Sequence, residues 1–194
     1  MKTNPLISLT EKLVALTTKL LVRNKKISIK VNKPLKVANI NKPVIIVANH
    51  RSKLDPFVII SYLPKELRSQ LLPIRFMTAN IYYFSWQRPL MYLMGCFPSH
   101  PHKNFRNFGV DGAVNSLNKG YSMLIFPEGK RTKQRIAAKK GVTTIAQSVE
   151  KPNFLLCHID WEGKEVELSF KLLGSSSTPE KLTPDQVMDA IYAL

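Results

Sequence analysis

A histidine whose Nδ1 faces a carboxylate has a fixed tautomer and a free lone pair on Nε2. It also has a partner for the imidazolium formed when Nε2 takes a proton. His50 and Asp55, in the stretch VANHRSKLDP of residues 47–56, are of the right types for that chemistry. In a continuous helix their spacing amounts to about 140° of rotation, which puts them on different faces. They meet only across a turn, which Asn49, Ser52 and an Asp55–Pro56 helix start allow. Alternatively, Asp55 is a plain N-cap and His50 a loop histidine. A second stretch, MLIFPEGKR at 123–131, ends an apolar run in a polar turn. Gly129 permits close backbone approach. Lys130 and Arg131 offer donors to a phosphate, and Arg131 can grip it with two parallel hydrogen bonds where a lysine cannot. Glu128, in this cationic setting, is expected to orient a substrate hydroxyl or to hold a neighbouring basic group. Taken alone, the stretch also suits an ordinary charged loop after a strand.

Hydrophobic periodicity supplies the framework around these residues. Val44 to Ala48 is a continuous apolar run, as in a strand covered on both faces, and it delivers His50 just past its carboxyl end. Open α/β sheets place their sites there. Asp55–Pro56 starts a helix to about Leu63. Further strands are expected at Ile27–Val31, Ile74–Met77, Met123–Phe126, Phe154–Ile159 and Val166–Leu172. Helices are expected at 81–94, broken or kinked at Pro89, at Phe105–Leu117, at Arg135–Val149, and from Thr183–Pro184–Asp185 onward. Strands alternating with helices indicate a single α/β domain. Residues 1–26 form an N-terminal amphipathic helix, with Leu6, Leu9, Leu13, Leu16 and Leu20 at three- and four-residue steps, and 27–194 form the body. Lys12, Lys19, Arg23, Lys25 and Lys26 accompany that helix. It either packs on the domain's own core or lies in a membrane interface with lysines toward the headgroups.

A chain of 194 residues is long enough for a real core, and its ordinary apolar fraction excludes disorder and disulfide scaffolds as overall descriptions. The formal net charge of +16 points to polyanionic partners: nucleic acid, phosphorylated substrates, acidic carrier proteins or an anionic membrane. Cys96 and Cys157 sit in apolar stretches without a CxxC and read as free thiols in a reducing compartment. No metal-ligand spacing, secretory signal or transmembrane run is visible. His100 and His102 read as loop histidines and His158 as a strand residue. Tyr82, Tyr83, Phe84, Trp86, Met91 and Met94 either pack in the core or wall an apolar groove.

The two stretches together change the reading. A strand ending in NHxxxxDP, followed about 70 residues later by a strand ending in FPEGxR, resembles the 1-acylglycerol-3-phosphate acyltransferase family over roughly residues 40–160. The resemblance implies an α/β acyltransferase fold, with a central mostly parallel sheet flanked by helices. It implies that His50 and Asp55 are the catalytic dyad and that Glu128, Gly129, Lys130 and Arg131 help bind the acceptor. It implies acyl transfer from acyl-CoA or an acyl carrier protein to a lyso-phospholipid, most simply 1-acylglycerol-3-phosphate, with no metal and no cofactor beyond the donor itself. A different lyso-lipid, such as a lyso-aminolipid, is the alternative acceptor. Lys130 stands where the family has Thr. GCFPSHP at 95–101 puts Pro101 where the family has a phosphate-binding Arg, with Lys103 and Arg106 as nearby substitutes. Lys140–Gly141 matches the family's KG pair. The expected setting is the cytoplasmic face of an anionic membrane, peripherally bound, without nucleic acid. A basic nucleic-acid-binding domain would explain the charge and leave both motifs unexplained. A non-catalytic membrane-surface protein would leave the same motifs unused.

Overall fold

The computed structural model describes residues 3–33, 39–100, 108–173 and 181–194. Pro101, His102, Lys103 and Arg106 lie outside them. The chain runs α1 (Pro5–Asn24), β1 (Ser28–Lys33), β2 (Val44–Ala48), α2 (Asp55–Tyr62), α3 (Lys65–Leu71) and β3 (Ile74–Thr78). It continues through α4 (Asn80–Tyr83), α5 (Arg88–Leu93), β4 (Cys96–Pro98), α6 (Gly109–Asn118) and β5 (Ser122–Ile125). It closes with α7 (Gly141–Gln147), β6 (Asn153–Glu162), β7 (Glu165–Leu173) and α8 (Pro184–Tyr192).

The described strands form one sheet in the order β1-β7-β6-β2-β5-β3-β4. Every pairing is parallel except the β6–β7 hairpin. The expected mostly parallel sheet flanked by helices is therefore present. β2 lies in its middle, and all five of its residues are fully buried. Alternation sends Val44, Ile46 and Ala48 to the face covered by α2 and α3. Ile45 and Val47 go to the face covered by α6, α7 and α8. Two layers of helix thus explain why the run is apolar throughout.

Several boundaries differ from the sequence expectation. α7 begins at Gly141, not at Arg135. Residues 135–139 form no helix, and the Lys139 N–H donates to the Pro127 carbonyl at 2.8 Å. The aromatic segment splits into α4 and α5, and Pro89 sits in the first turn of α5, where its missing N–H costs nothing. Tyr83 turns inward, while Trp86 is 88% exposed. The short α3 and the three-residue β4 were not anticipated.

α1 is a helix as expected, but the leucine row does not face the body. Ile7, Glu11, Ala15 and Val22 are buried, and this row lies about 180° around the helix from the leucines. Leu6, Leu9, Leu13, Leu16, Leu20 and Leu21 are each 51–58% exposed. The inward row includes a carboxylate: Glu11 takes the Ile74 N–H at 3.0 Å. Burial raises its pKa from 4.5 to about 8, against the opposing pull of that hydrogen bond, Arg75 and Lys42. Among the described residues, no helix is long and apolar enough to cross a membrane.

Candidate active site

Three neighbouring strands, β6, β2 and β5, run toward the same edge of the sheet, and the site is built there from residues just beyond β2 and β5 and from Trp161 near the end of β6. The β2–β6 ladder closes at Ala48 and Cys157. Fully buried Asn49 then continues it with a side chain. Its amide donates to the Ile159 carbonyl and accepts the Ile159 N–H, both at 2.8 Å. This pins the backbone one residue before His50.

Between His50 and Asp55 the chain makes the tight turn that the spacing demanded. His50 Nδ1 lies 2.8 Å from Asp55 Oδ2. The same oxygen accepts the N–H groups of Arg51 and Ser52 at 2.6 and 2.7 Å. The other oxygen accepts Trp161 Nε1–H at 2.8 Å. Asp55 is not the N-cap of α2, as the helix start had suggested. Leu54 holds that position, and Asp55 is the first helical residue, with its carboxylate turned back into the turn. Four donors on one fully buried carboxylate leave its position little freedom. A carboxylate can only accept, so in the neutral ring this network assigns the proton to Nδ1 and the lone pair to Nε2. The His50 side chain keeps 16% of its surface exposed, while that of Asp55 has none.

The second motif folds around the first. Phe126 stacks on the His50 ring, with centroids 4.1 Å apart and planes 19° from parallel. Glu128 Oε2 accepts the His50 N–H at 2.7 Å. The Thr132 N–H donates to the His50 carbonyl at 2.9 Å. Glu128 is 1% exposed, and its second oxygen accepts the Tyr192 hydroxyl at 2.9 Å. The Glu128 carboxylate is thus turned into the protein, toward the His50 peptide and the Tyr192 hydroxyl.

Gly129, Lys130 and Arg131 lie outside that wall, and all three are exposed. Gly129 has φ +67°, and a Cβ there would come within 2.6 Å of the Lys139 stem. The left-handed backbone is what favours glycine here, since the flexible end of the Lys139 side chain can swing aside. Lys133, Arg135, Lys139 and Lys140 extend the exposed cationic loop. Arg135 is paired with Asp189. His100 is exposed and pairs with the Ser99 hydroxyl, and His158 is half-buried on β6, where burial lowers its pKa.

A family model described as Acyltransferase matches residues 24–158, more than half of the chain. The chain belongs to the acyltransferase family. It is 29% identical over 96 residues to a Mycoplasma pneumoniae protein described as "Probable 1-acyl-sn-glycerol-3-phosphate acyltransferase". That match covers 48% of this chain and 35% of that protein, so this chain spans about a third of the length of the curated relative it matches. Its fold is similar to that of the crystallised 1-acyl-sn-glycerophosphate acyltransferase PlsC from Thermotoga maritima. The TM-score is 0.67 at 15% identity, over 93% of this chain and 79% of that one.

Within this acyltransferase chain, Trp161, Tyr192 and Thr132 are the site residues that sequence reasoning missed. Trp161 is 106 residues from Asp55, and Tyr192 is 64 from Glu128. No local spacing signals either contact. Phe126 belonged to the quoted motif, but nothing in its type foretold a stack on the histidine.

Proposed function

We propose that the protein moves a fatty acyl group from a thioester, acyl-CoA or an acyl carrier protein, to the hydroxyl of a lyso-phospholipid. The proposed acceptor is 1-acylglycerol-3-phosphate and the product phosphatidic acid. The observation that carries this proposal is the His50–Asp55 pair, with the lone pair on Nε2 and a cationic loop beside it. Nε2 takes the acceptor's hydroxyl proton as that oxygen attacks the thioester carbonyl carbon. A C–O bond forms, the tetrahedral species collapses, the C–S bond breaks, and the imidazolium returns its proton to the departing sulfur. Asp55 keeps the tautomer and supports the transient positive charge. Proton transfer of this kind contributes roughly 10²–10⁴-fold. A thioester is already activated, so neither an acyl-enzyme nor a cofactor is required by the chemistry. Gly129, Lys130 and Arg131 hold the acceptor's phosphate, Arg131 through paired hydrogen bonds.

The acceptor resides in a bilayer, and the exposed leucine row of α1 gives the protein a way to reach it. Lys12, Lys19 and Arg23 lie about 80° around the helix from the leucines, where headgroups would meet them. Each half-exposed leucine gains on the order of 1 kcal/mol when covered, which makes docking reversible and the basic flank a needed second attraction. The proposed setting is therefore peripheral, on an anionic cytoplasmic membrane face.

Mass spectrometry of products from a panel of lyso-lipids and thioester donors, with wild type and His50→Ala, tests the reaction. Acylated lysophosphatidic acid from wild type alone is expected. A product only from a lyso-aminolipid would move the acceptor assignment, and no acylated product would overturn acyl transfer.

A further inference from the structure

We propose that Tyr192, on the last helix, is a positioning residue for His50, holding the peptide groups on both sides of it. This rests on the general-base role of His50 proposed above. On one side, the Tyr192 hydroxyl donates to Glu128 Oε1 at 2.9 Å, and Glu128 Oε2 takes the His50 N–H at 2.7 Å. On the other, the Arg51 guanidinium lies over the Tyr192 ring at 5.4 Å and donates through Nη1 to the Thr132 carbonyl at 2.8 Å. The Thr132 N–H in turn donates to the His50 carbonyl at 2.9 Å. One phenol therefore contacts both arms of a clamp that closes on a single residue.

The hydroxyl matters because Glu128 is 1% exposed. A buried carboxylate oxygen without a donor is costly, so losing the phenol would leave Oε1 to turn or to draw in water. Either response loosens the grip of Oε2 on the His50 N–H. The phenol is also a dependable donor. Burial, the hydrogen bond to Glu128 and the charge of that carboxylate raise its pKa to about 12, so it stays protonated across neutral pH.

The position of α8 does not depend on this bond. Val187, Met188 and Ile191 anchor the helix in the core, and a Thr183–Gln186 capping box starts it. Tyr192→Phe keeps the ring over Arg51 and near His158, and so removes the hydroxyl without removing the helix.

The test uses the full chain with wild type, His50→Ala, Tyr192→Phe, Glu128→Gln and the double variant Glu128→Gln/Tyr192→Phe. Turnover of a thioester and a lyso-lipid, thermal melting and the NMR ring resonances of His50 are measured for each. Tyr192→Phe should lower kcat about tenfold, with KM for both substrates within about twofold and melting nearly unchanged. The double variant should be no slower than Glu128→Gln, because both changes act through one chain of contacts. The His50 ring resonances should shift or broaden in Tyr192→Phe. Wild-type kcat in Tyr192→Phe, a loss confined to KM, or losses that multiply in the double variant would each overturn the proposal. Should Tyr192→Phe fold poorly, Arg51→Lys probes the second arm, and an unchanged kcat there overturns that arm. If wild type is inactive or His50→Ala active, the acyl-transfer proposal fails, and the His50 resonances still decide whether Tyr192 positions the ring.

Discussion

The second motif is divided between two regions that behave in opposite ways. Phe126 and Glu128 face inward and make their contacts with His50. Lys130 and Arg131, just beyond the Gly129 turn, face water. On the inner side, both His50 peptide groups, its Nδ1 and both Asp55 oxygens have partners within 3 Å. On the outer side, charge is plentiful and fixed contacts are few. On the proposed function, the contrast separates two tasks. A proton-transfer group must be held to a fraction of an ångström, and a dense hydrogen-bonded wall does that. A phosphate on a mobile lipid is met by long cationic side chains that can adjust.

Substitutions on the inner side should therefore strike turnover, and those on the outer side should strike substrate affinity. The largest effect is expected from His50→Ala, with turnover falling at least about 100-fold and melting little changed. A purified variant retaining more than a tenth of wild-type kcat would remove the general-base role. Asp55→Asn comes next and should combine a large kcat loss with lower stability. Its amide NH₂ would face N–H donors from Arg51 and Ser52 or from Trp161, and a lost hydrogen bond to a charged group costs about 1.5–3 kcal/mol. Kinetics and thermal melts run together would separate the two losses. On the outer side, Arg131→Lys keeps the charge and loses the paired hydrogen bonds, so KM for a phosphorylated acceptor should rise several-fold while kcat changes less. An unchanged KM would break the division of tasks.

The smallest effect on activity is expected from Glu11→Gln, which tests a buried carboxylate outside both regions. Glu11 has a single backbone donor where Asp55 has four donors in all, and its pKa in the fold is about 8 against 4.5 unfolded. The native state therefore binds the proton more tightly, and the stability gained from the neutral form is lost as pH rises from about 4.5 to 8. Glu11→Gln should flatten that slope in denaturant titrations across this window and leave kcat near wild type. A slope identical to wild type would place the titration elsewhere.

The sequence disclosed what is local. Val44–Ala48 reads as a buried strand because both faces are covered, and His50 and Asp55 read as a pair because one turn joins them. Glu128 was visible as a carboxylate beside a glycine, but its direction was not, since its partners His50 and Tyr192 come from distant parts of the chain. α1 shows the limit of periodicity in another form. The strongest leucine pattern marks the face turned away from the body, while the inward row carries an alanine and a glutamate. Periodicity identified the amphipathic helix without saying which medium its apolar face would meet.

That outward leucine face carries a consequence for kinetics. A catalyst resting on a bilayer by one side of a helix searches for its acceptor in two dimensions. Its rate is then governed by how crowded the surface is with acceptor, not by how much acceptor the flask contains. Adding inert lipid at fixed total acceptor should slow such a protein, and replacing Leu9, Leu13 and Leu16 with serine should make it respond to bulk concentration instead.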